Sequence, residues 1–149
     1  MINWQCKFFS ELTNEELYKI IQLRIDVFVV EQNCVYQDCD GKDLESFHFT
    51  GWDENNLVAY TRLLPKGISY PGAASIGRVI TARSARGQNL GKQLMTKSIE
   101  QIYTLFGNVP IKISAQLYLK HFYESFSFVQ EGGAYLEDHI EHIAMEKVF

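Results

Sequence analysis

The chain has no long apolar run and little net charge among its 149 residues. No segment approaches the roughly 20 apolar residues that a membrane-spanning helix needs. The first residues, Met1 to Lys7, lack the charged and then apolar layout of an export signal. A formal net charge of −4 argues against a broad nucleic-acid surface, which requires clustered Lys and Arg. These absences predict a cytoplasmic protein that binds neither membrane nor nucleic acid.

Cysteine and proline are scarce, with three of each. An odd number of cysteines without an export signal predicts free thiols in a reducing compartment. The composition is otherwise ordinary for a globular protein, with 46% hydrophobic and 21% charged residues. Because the chain shows no repeat, linker or break in composition, we expect one domain over residues 1–149.

Two groups of residues with metal-ligand chemistry fail as metal sites. The acidic stretch 38–45 departs from the EF-hand template, because Gly41 falls too early and Lys42 occupies a ligand position. Cys34, Cys39 and His48 lack zinc spacing and a fourth ligand. We therefore predict no metal, and interpret the acidic stretch as a solvated loop.

The hydrophobic pattern alternates helices with strands. Thr13 and Glu16 form a capping box for a first helix that reaches about Val30. Helices are also expected after the glycines near residue 90 and around residues 119–126. Strands are expected at 4–9, 47–52, 57–64, 75–81, 111–115, 128–130 and 143–148, with an acidic loop between the last two. The order β-α-β-β-β-α-β-α-β-β predicts an α/β (α+β) fold, a mixed central sheet flanked by helices.

Residues 75–102 are the most informative segment. A β-branched strand passes through small residues to Gly87 and Gly91, where a helix begins. The first turn of a helix has four N–H groups without partners, and the helix dipole adds positive charge there. Glycine lets a phosphate approach the backbone closely. The segment predicts a phosphate or pyrophosphate site, and an ordinary strand–loop–helix connection is the alternative.

General nucleotide motifs do not describe this turn. In a P-loop four residues would separate the glycines, whereas three separate Gly87 from Gly91, and Gln93 replaces the magnesium-binding hydroxyl. The turn instead resembles the R-x-x-G-x-G/A motif of the GNAT superfamily of acyl-CoA-dependent N-acyltransferases. Arg86 and Gly91 are in register, and Asn89, which tolerates left-handed backbone, replaces the first glycine.

Residues 113–128 carry a second part of the resemblance. In the superfamily, a tyrosine on the helix after this strand protonates the departing CoA thiolate, and Tyr123 occupies its position. A tyrosine hydroxyl, with a pKa of ~10, can donate to a thiolate. Phe128 also matches, whereas Ser127 replaces a glycine. The alternative is that Tyr123 only packs in an aromatic stripe.

The resemblance extends over nearly the whole chain. Residues 23–40, 76–79, 114–116 and 135–143 are similar to the ElaA branch of the GNAT superfamily, although that branch has Gly-Ile-Pro-His at positions 139–142. The resemblance implies the GNAT fold, with a mostly antiparallel sheet. It also implies acyl-CoA chemistry, without supplying the acceptor. We expect transfer of an acyl group, acetyl in our prediction, from CoA to a primary amine by direct attack in a ternary complex. The acceptor would be a small molecule or a peptide, and a homodimer is an open option.

Carried over residue by residue, the resemblance places pantetheine beside the strand and the diphosphate on the turn. A strand N–H near Val79 or Ile80 would stabilise the oxyanion. No metal or covalent intermediate is needed. The implied acetyl-CoA-binding residues are Val79, Ile80, Thr81, Arg86, Gly87, Gln88, Asn89, Leu90, Gly91 and Lys92.

The acceptor amine must lose a proton, so the site needs a base. The candidates are Glu31 and His48, with Glu137, His139 and His142 as alternatives. Arg78, a charge within an apolar strand, either orients a substrate carboxylate or pairs with an Asp or Glu. The acidic stretch 38–45 is expected to line the acceptor entrance and to favour cationic amines. The candidates for acceptor binding are Arg78, Gln116, Glu137 and His139.

Three other functions stay open at this point. One is a catalytically silent domain that binds or senses CoA. Another is an acyl-homoserine-lactone synthase, whose N-terminal pattern resembles Arg24, Phe28, Asp38 and Asp40. The third is an interaction module that uses exposed aromatic side chains. Acyl-CoA binding without thiol release would indicate the silent domain, and failure to bind acyl-CoA would indicate the interaction module. The turn from Arg86 to Gly91 and Tyr123 favour an acyl-CoA transferase over the synthase.

Overall fold

The computed structural model describes residues 1–149 and contains one seven-stranded sheet. The strands lie in the order β1-β2-β3-β4-β5-β7-β6, and every neighbouring pair is antiparallel except β4 and β5. This architecture confirms the expected mixed, mostly antiparallel sheet. The strands are β1 Asn3–Phe8, β2 Phe47–Asp53, β3 Asn56–Leu64, β4 Ala74–Thr81, β5 Ile111–Gln116, β6 Val129–Glu137 and β7 Ile140–Lys147.

Helices flank both faces of the sheet. Helix α1, Asn14–Arg24, begins at the predicted capping box, where Thr13 Oγ1 accepts from the Glu16 amide and Glu16 accepts from the Thr13 amide. It continues as a π-helical segment, Ile25–Glu31, close to the predicted end. Helix α2 spans Leu90–Phe106 and helix α3 spans Lys120–Glu124. No helix of the chain combines the length and apolarity that a membrane span requires.

The apolar core has two parts, one on each face of the sheet. The larger part packs α2 against the sheet, with Leu94, Met95 and Ile102 fully buried. The smaller part packs α1 against Tyr60 and Ile80. Burial of apolar side chains on both faces holds the central strands rigidly, so their backbone groups can present a site.

Strands β4 and β5 separate along their length. They pair in parallel only where Ala74 meets Ile111 and Ser75 meets Lys112. Beyond Ser75 the edge of β4 that faces β5 has no partner strand, and a cleft opens between the two strands. The helix α2 that connects them begins at the far end of this cleft.

The predicted loop between the last two strands is wrong. Strand β6 runs through Gly132 and Gly133 to Glu137, and only Asp138 and His139 connect it to β7. Both turn residues have left-handed φ values, 49° and 66°, which suits a two-residue hairpin. The glycines instead accompany a shift of register within β6. As a result, Glu137 lies on a strand.

Candidate active site

The turn before α2 has the left-handed backbone that the sequence predicts. Gly87 has a φ of 88°, and Asn89, which immediately precedes α2, has a φ of 62°. The side chain of Asn89 makes no capping hydrogen bond to the helix. Asparagine therefore serves here as the residue that tolerates left-handed geometry, in place of glycine.

The amides of the turn point to anion binding. The N–H groups of residues Gly87 through Lys92 donate to no backbone carbonyl. They lie at the positive end of the α2 dipole, where backbone donors and dipole together favour a phosphate. Gly91 leaves room, because a Cβ at this position would come no closer than 3.9 Å to Phe122.

A cleft of about 530 Å³ separates this turn from α3. It brings together most of the predicted CoA-binding residues and adds three from α3 and its end that the sequence reasoning missed. The lining residues are Thr81, Arg86, Gly87, Asn89, Leu90, Gly91, Lys92, His121, Phe122 and Ser125.

Three predicted CoA-binding residues lie outside the lining of that cleft. Gln88 lines a separate cleft of about 620 Å³ between α1 and the start of α2. Ile80 is buried against α1, and Val79 is half-buried on the same strand. Only the backbone groups of Val79 are suited to contact a ligand along β4, because the backbone of Ile80 pairs with Tyr60 on β3.

Tyr123 lies on α3, beside the residues that line the 530 Å³ cleft. It is 6% exposed and packs edge-to-face against Phe122 and Phe128, with ring centroids 5.2 and 6.2 Å away. Burial raises the pKa of Tyr123 above its ordinary value. The hydroxyl therefore carries its proton at neutral pH, as a general acid must.

Glu31 and Arg86 form a bidentate ion pair. The Arg86 guanidinium donates to the two Glu31 carboxylate oxygens at 2.6 and 2.8 Å. The hydrogen bond from Arg86 lowers the pKa of Glu31, which makes this carboxylate a weaker base. The pair joins the end of the π-helical segment to the turn before α2, so Glu31 lies beside the predicted phosphate site.

The prediction that His48 faces the cleft is wrong. It is fully buried, with Nδ1 2.6 Å from the Tyr60 hydroxyl and Nε2 3.0 Å from the Asp43 carbonyl. Burial lowers the pKa of His48. Strand β2 is separated from β4 by β3, and both ring nitrogens have partners in the core. His48 therefore has no nitrogen available to take a proton from a substrate.

The acidic stretch is not a solvated loop at an entrance, because its carboxylates pair with arginines. Asp38 and Asp43 are 6% and 8% exposed. We call this group the arginine–aspartate cluster; its members are Arg24, Arg62, Arg78, Asp38, Asp40 and Asp43. The bonds are Arg24–Asp38 2.8 Å, Arg24–Asp43 2.8 Å, Arg62–Asp40 2.8 Å, Arg62–Asp43 2.9 Å and Arg78–Asp38 2.8 Å.

The cluster is neutral in sum, with three cations and three anions. Burial alone would raise the pKa of Asp40, but the hydrogen bonds and charge of Arg62 outweigh it and lower that pKa to about 2. The pKa of Asp43 is lowered against the same burial by Arg24 and Arg62. Two roles were expected for Arg78, and the structure shows the second of them, an ion pair with Asp38.

A polar group lies on the other side of the diverging strands, on β5, β6 and β7. The Ser114 hydroxyl is 2.5 Å from the Tyr135 hydroxyl and donates to Glu137 at 3.1 Å. His142 stacks on Tyr135, and its Nε2 is 3.6 Å from Glu137. His142 Nδ1 donates to the Ile140 carbonyl at 2.7 Å, which leaves Nε2 as the unprotonated nitrogen of the neutral ring.

Gln116 joins this polar group to the segment after α1. It is directly opposite His142 on β7, which in turn is opposite Tyr135 on β6, so these side chains share one face of the sheet. Its amide donates to the Gln32 side chain at 3.3 Å. Gln116 and Glu137 are therefore brought together on one face, whereas His139 is exposed in the hairpin turn.

Comparison with known proteins identifies the family. Residues 11–149 match the family model of the acetyltransferase (GNAT) domain. The chain belongs to the GNAT acetyltransferase family. The ElaA protein of Escherichia coli is 44% identical over 149 residues, covering 99% of this chain and 97% of that protein. The expected resemblance to the ElaA branch of the GNAT family is confirmed.

Solved GNAT structures superpose on the whole chain. An acyl-CoA N-acyltransferase from Pseudomonas aeruginosa has a TM-score of 0.94 and 41% identity, covering 99% of this chain and 100% of that one. The crystal structure of Escherichia coli ElaA has a TM-score of 0.92 and 43% identity, covering 99% of each chain. The acyl-homoserine-lactone synthase LasI, at 12% identity and a TM-score of 0.77, shares the fold alone.

Membership of the GNAT family gives the site its general chemistry. GNAT transferases take an acyl group from acyl-CoA and act on amine acceptors, and this chain is an N-acetyltransferase of that family. The α3 contributions to the cleft, His121, Phe122 and Ser125, were missed because their helix is too short for its orientation to follow from periodicity. Their position next to Tyr123 in the sequence was the only local signal.

Proposed function

We propose that this protein transfers an acetyl group from acetyl-CoA to a primary amine, by direct attack within a ternary complex and as one domain over residues 1–149. The observation that carries the proposal is the group of backbone amides from Gly87 to Lys92 without backbone acceptors, in a cleft that α3 borders. Tyr123 lies on α3 next to Phe122, which lines this cleft, and this position supports Tyr123 as the group that meets the thioester sulfur.

The donor side is proposed to use both the turn and the separated strands. The diphosphate would take hydrogen bonds from the turn amides, with Lys92 adding positive charge and Arg86 exchanging its Glu31 partner for the phosphate. Pantetheine would lie along β4, where the strand has lost its partner β5. Backbone groups of Val79 and Thr81 would then replace the missing strand pairing, whereas those of Ile80 pair with Tyr60 on β3.

The reaction would proceed in two steps at the thioester carbonyl. The amine nitrogen forms a bond to the carbonyl carbon, and the oxyanion accepts a hydrogen bond from the strand amide of Val79, a contact worth about 3 kcal/mol in acyl transfer. The tetrahedral intermediate then loses the CoA thiolate. Tyr123, which burial keeps protonated, would donate a proton to that sulfur.

For the base we favour the pair of His142 and Glu137 over Glu31 and His48. The Nε2 of His142 has its lone pair free and lies 3.6 Å from Glu137. Glu137 is partly open to solvent and can pass the proton outward. Glu31 is held by Arg86, and His48 is buried with both nitrogens bonded.

The charges around the separated strands suggest the kind of amine. All three arginines of the arginine–aspartate cluster are paired, so none is free to bind a substrate carboxylate. Glu137 has only His142 as a basic neighbour within 4 Å. We therefore propose an acceptor without a carboxylate beside its amine, such as an alkyl diamine, whose second ammonium group Glu137 would favour.

Thiol release from acetyl-CoA across matched amines tests both proposals. Cadaverine against lysine and agmatine against arginine differ only by the carboxylate. We expect thiol release with an N-acetylated product, and a higher kcat/KM for the decarboxylated member of each pair. Equal or reversed values would refute the amine class while leaving the transferase intact. A melting temperature raised by acetyl-CoA without thiol release from any amine would instead identify a silent CoA-binding domain.

The proposed reaction belongs in the cytoplasm. All three cysteines, Cys6, Cys34 and Cys39, are free thiols in the structure. Free thiols persist in a reducing compartment, which is also where an intracellular acyl-CoA donor would be used. Fractionation of cells that express the tagged chain would test this location.

A further inference from the structure

Strand β4 contains one extra residue at the start of the cleft. Tyr60 pairs with Ile80 and Arg62 pairs with Gly77, so positions 60 to 62 of β3 lie opposite 77 to 80 of β4. This is a β-bulge, and Arg78 within it has a φ of 53°. A left-handed backbone is unfavourable for a residue with a bulky side chain, so neighbouring contacts must hold it.

The bulge reverses the faces of β4. In an unbroken strand Ile76 and Ile80, four residues apart, would point to the same side of the sheet. Here Ile76 packs in the core on the α2 face and Ile80 in the core on the α1 face. The backbone N–H groups reverse with the side chains. The bulge therefore decides which amides after Arg78 face β3 and which face the cleft.

The side chain of Arg78 is fixed by Asp38. Its Nε donates to Asp38 Oδ1 at 2.8 Å and its Nη2 to the Asp38 carbonyl at 2.9 Å. The guanidinium also lies over the Tyr36 ring, 5.6 Å from its centroid. Asp38 is itself held by Arg24, which is 1% exposed and donates to Oδ2 at 2.8 Å. The ion pair thus joins the bulge to the buried pair of Asp38 and Arg24.

We propose that Arg78 is a positioning residue: its bidentate attachment to Asp38 holds the β4 bulge in the left-handed conformation, and this conformation aims the Val79 amide at the reacting carbonyl, while the Ile80 amide faces Tyr60 on β3. Arg78 does not contact the substrates. The inference rests on the proposed function, because it assigns the oxyanion to the Val79 amide. It gives a role to the two hydrogen bonds that Arg78 donates to Asp38.

Arg78→Ala and Arg78→Gly distinguish positioning from a stabilising ion pair. Both substitutions remove the contact with Asp38, but glycine adopts positive φ without the steric penalty of a Cβ. We expect Arg78→Ala to lower kcat by about 10-fold or more with little change in the KM for acetyl-CoA, because part of the oxyanion stabilisation is lost. Arg78→Gly should recover most of the lost kcat. Lys66→Ala, which removes an exposed cation from a loop, should match wild type.

Wild-type kcat in Arg78→Ala, or glycine no better than alanine, would overturn the proposal. A ¹⁵N spectrum supplies a readout that does not depend on turnover: the Val79 and Ile80 amide shifts should move in Arg78→Ala and stay near wild type in Arg78→Gly. If the wild type releases no thiol with any amine, the proposed function fails, and these shifts still decide whether Arg78 holds the bulge. Should Arg78→Ala not fold, Arg78→Lys replaces it, and unmoved amide shifts in that variant would refute the inference.

Discussion

Substitution of Gly91 should affect the stability of the protein and its affinity for acetyl-CoA in opposite directions. A Cβ at this position would lie 3.9 Å from Phe122, an ordinary contact, so Gly91→Ala should fold. Alanine is the better helix former, and the variant should gain up to about 1 kcal/mol of stability. In the cleft the same Cβ would hold a diphosphate away from the turn. Loss of one hydrogen bond to a charged group costs about 1.5–3 kcal/mol, or roughly 10- to 150-fold in Kd.

Titration calorimetry with acetyl-CoA and thermal unfolding would measure the two effects side by side. Gly91→Glu should weaken binding further than Gly91→Ala, because its carboxylate adds repulsion of the diphosphate. Gly133→Ala is the matched control, since a Cβ on that strand glycine meets nothing within 4 Å. If Gly91→Glu bound acetyl-CoA within about twofold of wild type, the amide cradle would not be the diphosphate site.

Three further predictions concern the acid, the cluster and pH. Tyr123→Phe should lower kcat by roughly 10²-fold with little change in acetyl-CoA affinity, measured by thiol release and calorimetry, because it removes only a proton donor. Asp43→Asn should lower the free energy of unfolding by about 3–5 kcal/mol in urea titrations, since it leaves Arg24 and Arg62 underpaired in a buried site; the exposed Asp53→Asn should stay within about 0.5 kcal/mol. The pKa of Asp40 falls from 3.8 to about 2 on folding, and because solvent screens this exposed residue its contribution to stability is reduced to about 1 kcal/mol; that contribution is complete above pH 3.8 and is lost as the pH falls towards 2. Asp40→Asn should remove that part of the acid sensitivity, and an unchanged pH profile would contradict the assignment.

The order of helices and strands was predictable because its signals are local. The capping box at Thr13 and the glycine at the end of α2 act within one helical turn, and both appear as expected. The left-handed Asn89 was also readable from residue chemistry alone. The hairpin between β6 and β7 was not, because Gly132 and Gly133 are typical of a loop yet lie in an edge strand that tolerates irregular pairing.

The roles of charged side chains were harder to predict than the backbone. An acidic stretch with no arginine close to it in sequence is typical of a solvated loop. Here the arginine partners of Asp38, Arg24 and Arg78, lie 14 and 40 positions away along the chain. His48 likewise alternates on a strand as a cleft residue would, yet it points into the core beside Tyr60. Such pairings depend on which strands and helices become neighbours, and one sequence does not contain that information locally.

The sequence by itself determined that a strand, a turn with left-handed residues and a helix would leave a row of backbone amides without backbone acceptors. These properties follow from the φ preferences of a few adjacent residues and from the geometry of a helix terminus. Only the tertiary structure decided which carboxylates neutralise Arg24, Arg62 and Arg78, and which polar groups on β5, β6 and β7 lie together. The physical reason is that ion pairing and burial act between groups that folding alone brings within a few ångströms of each other.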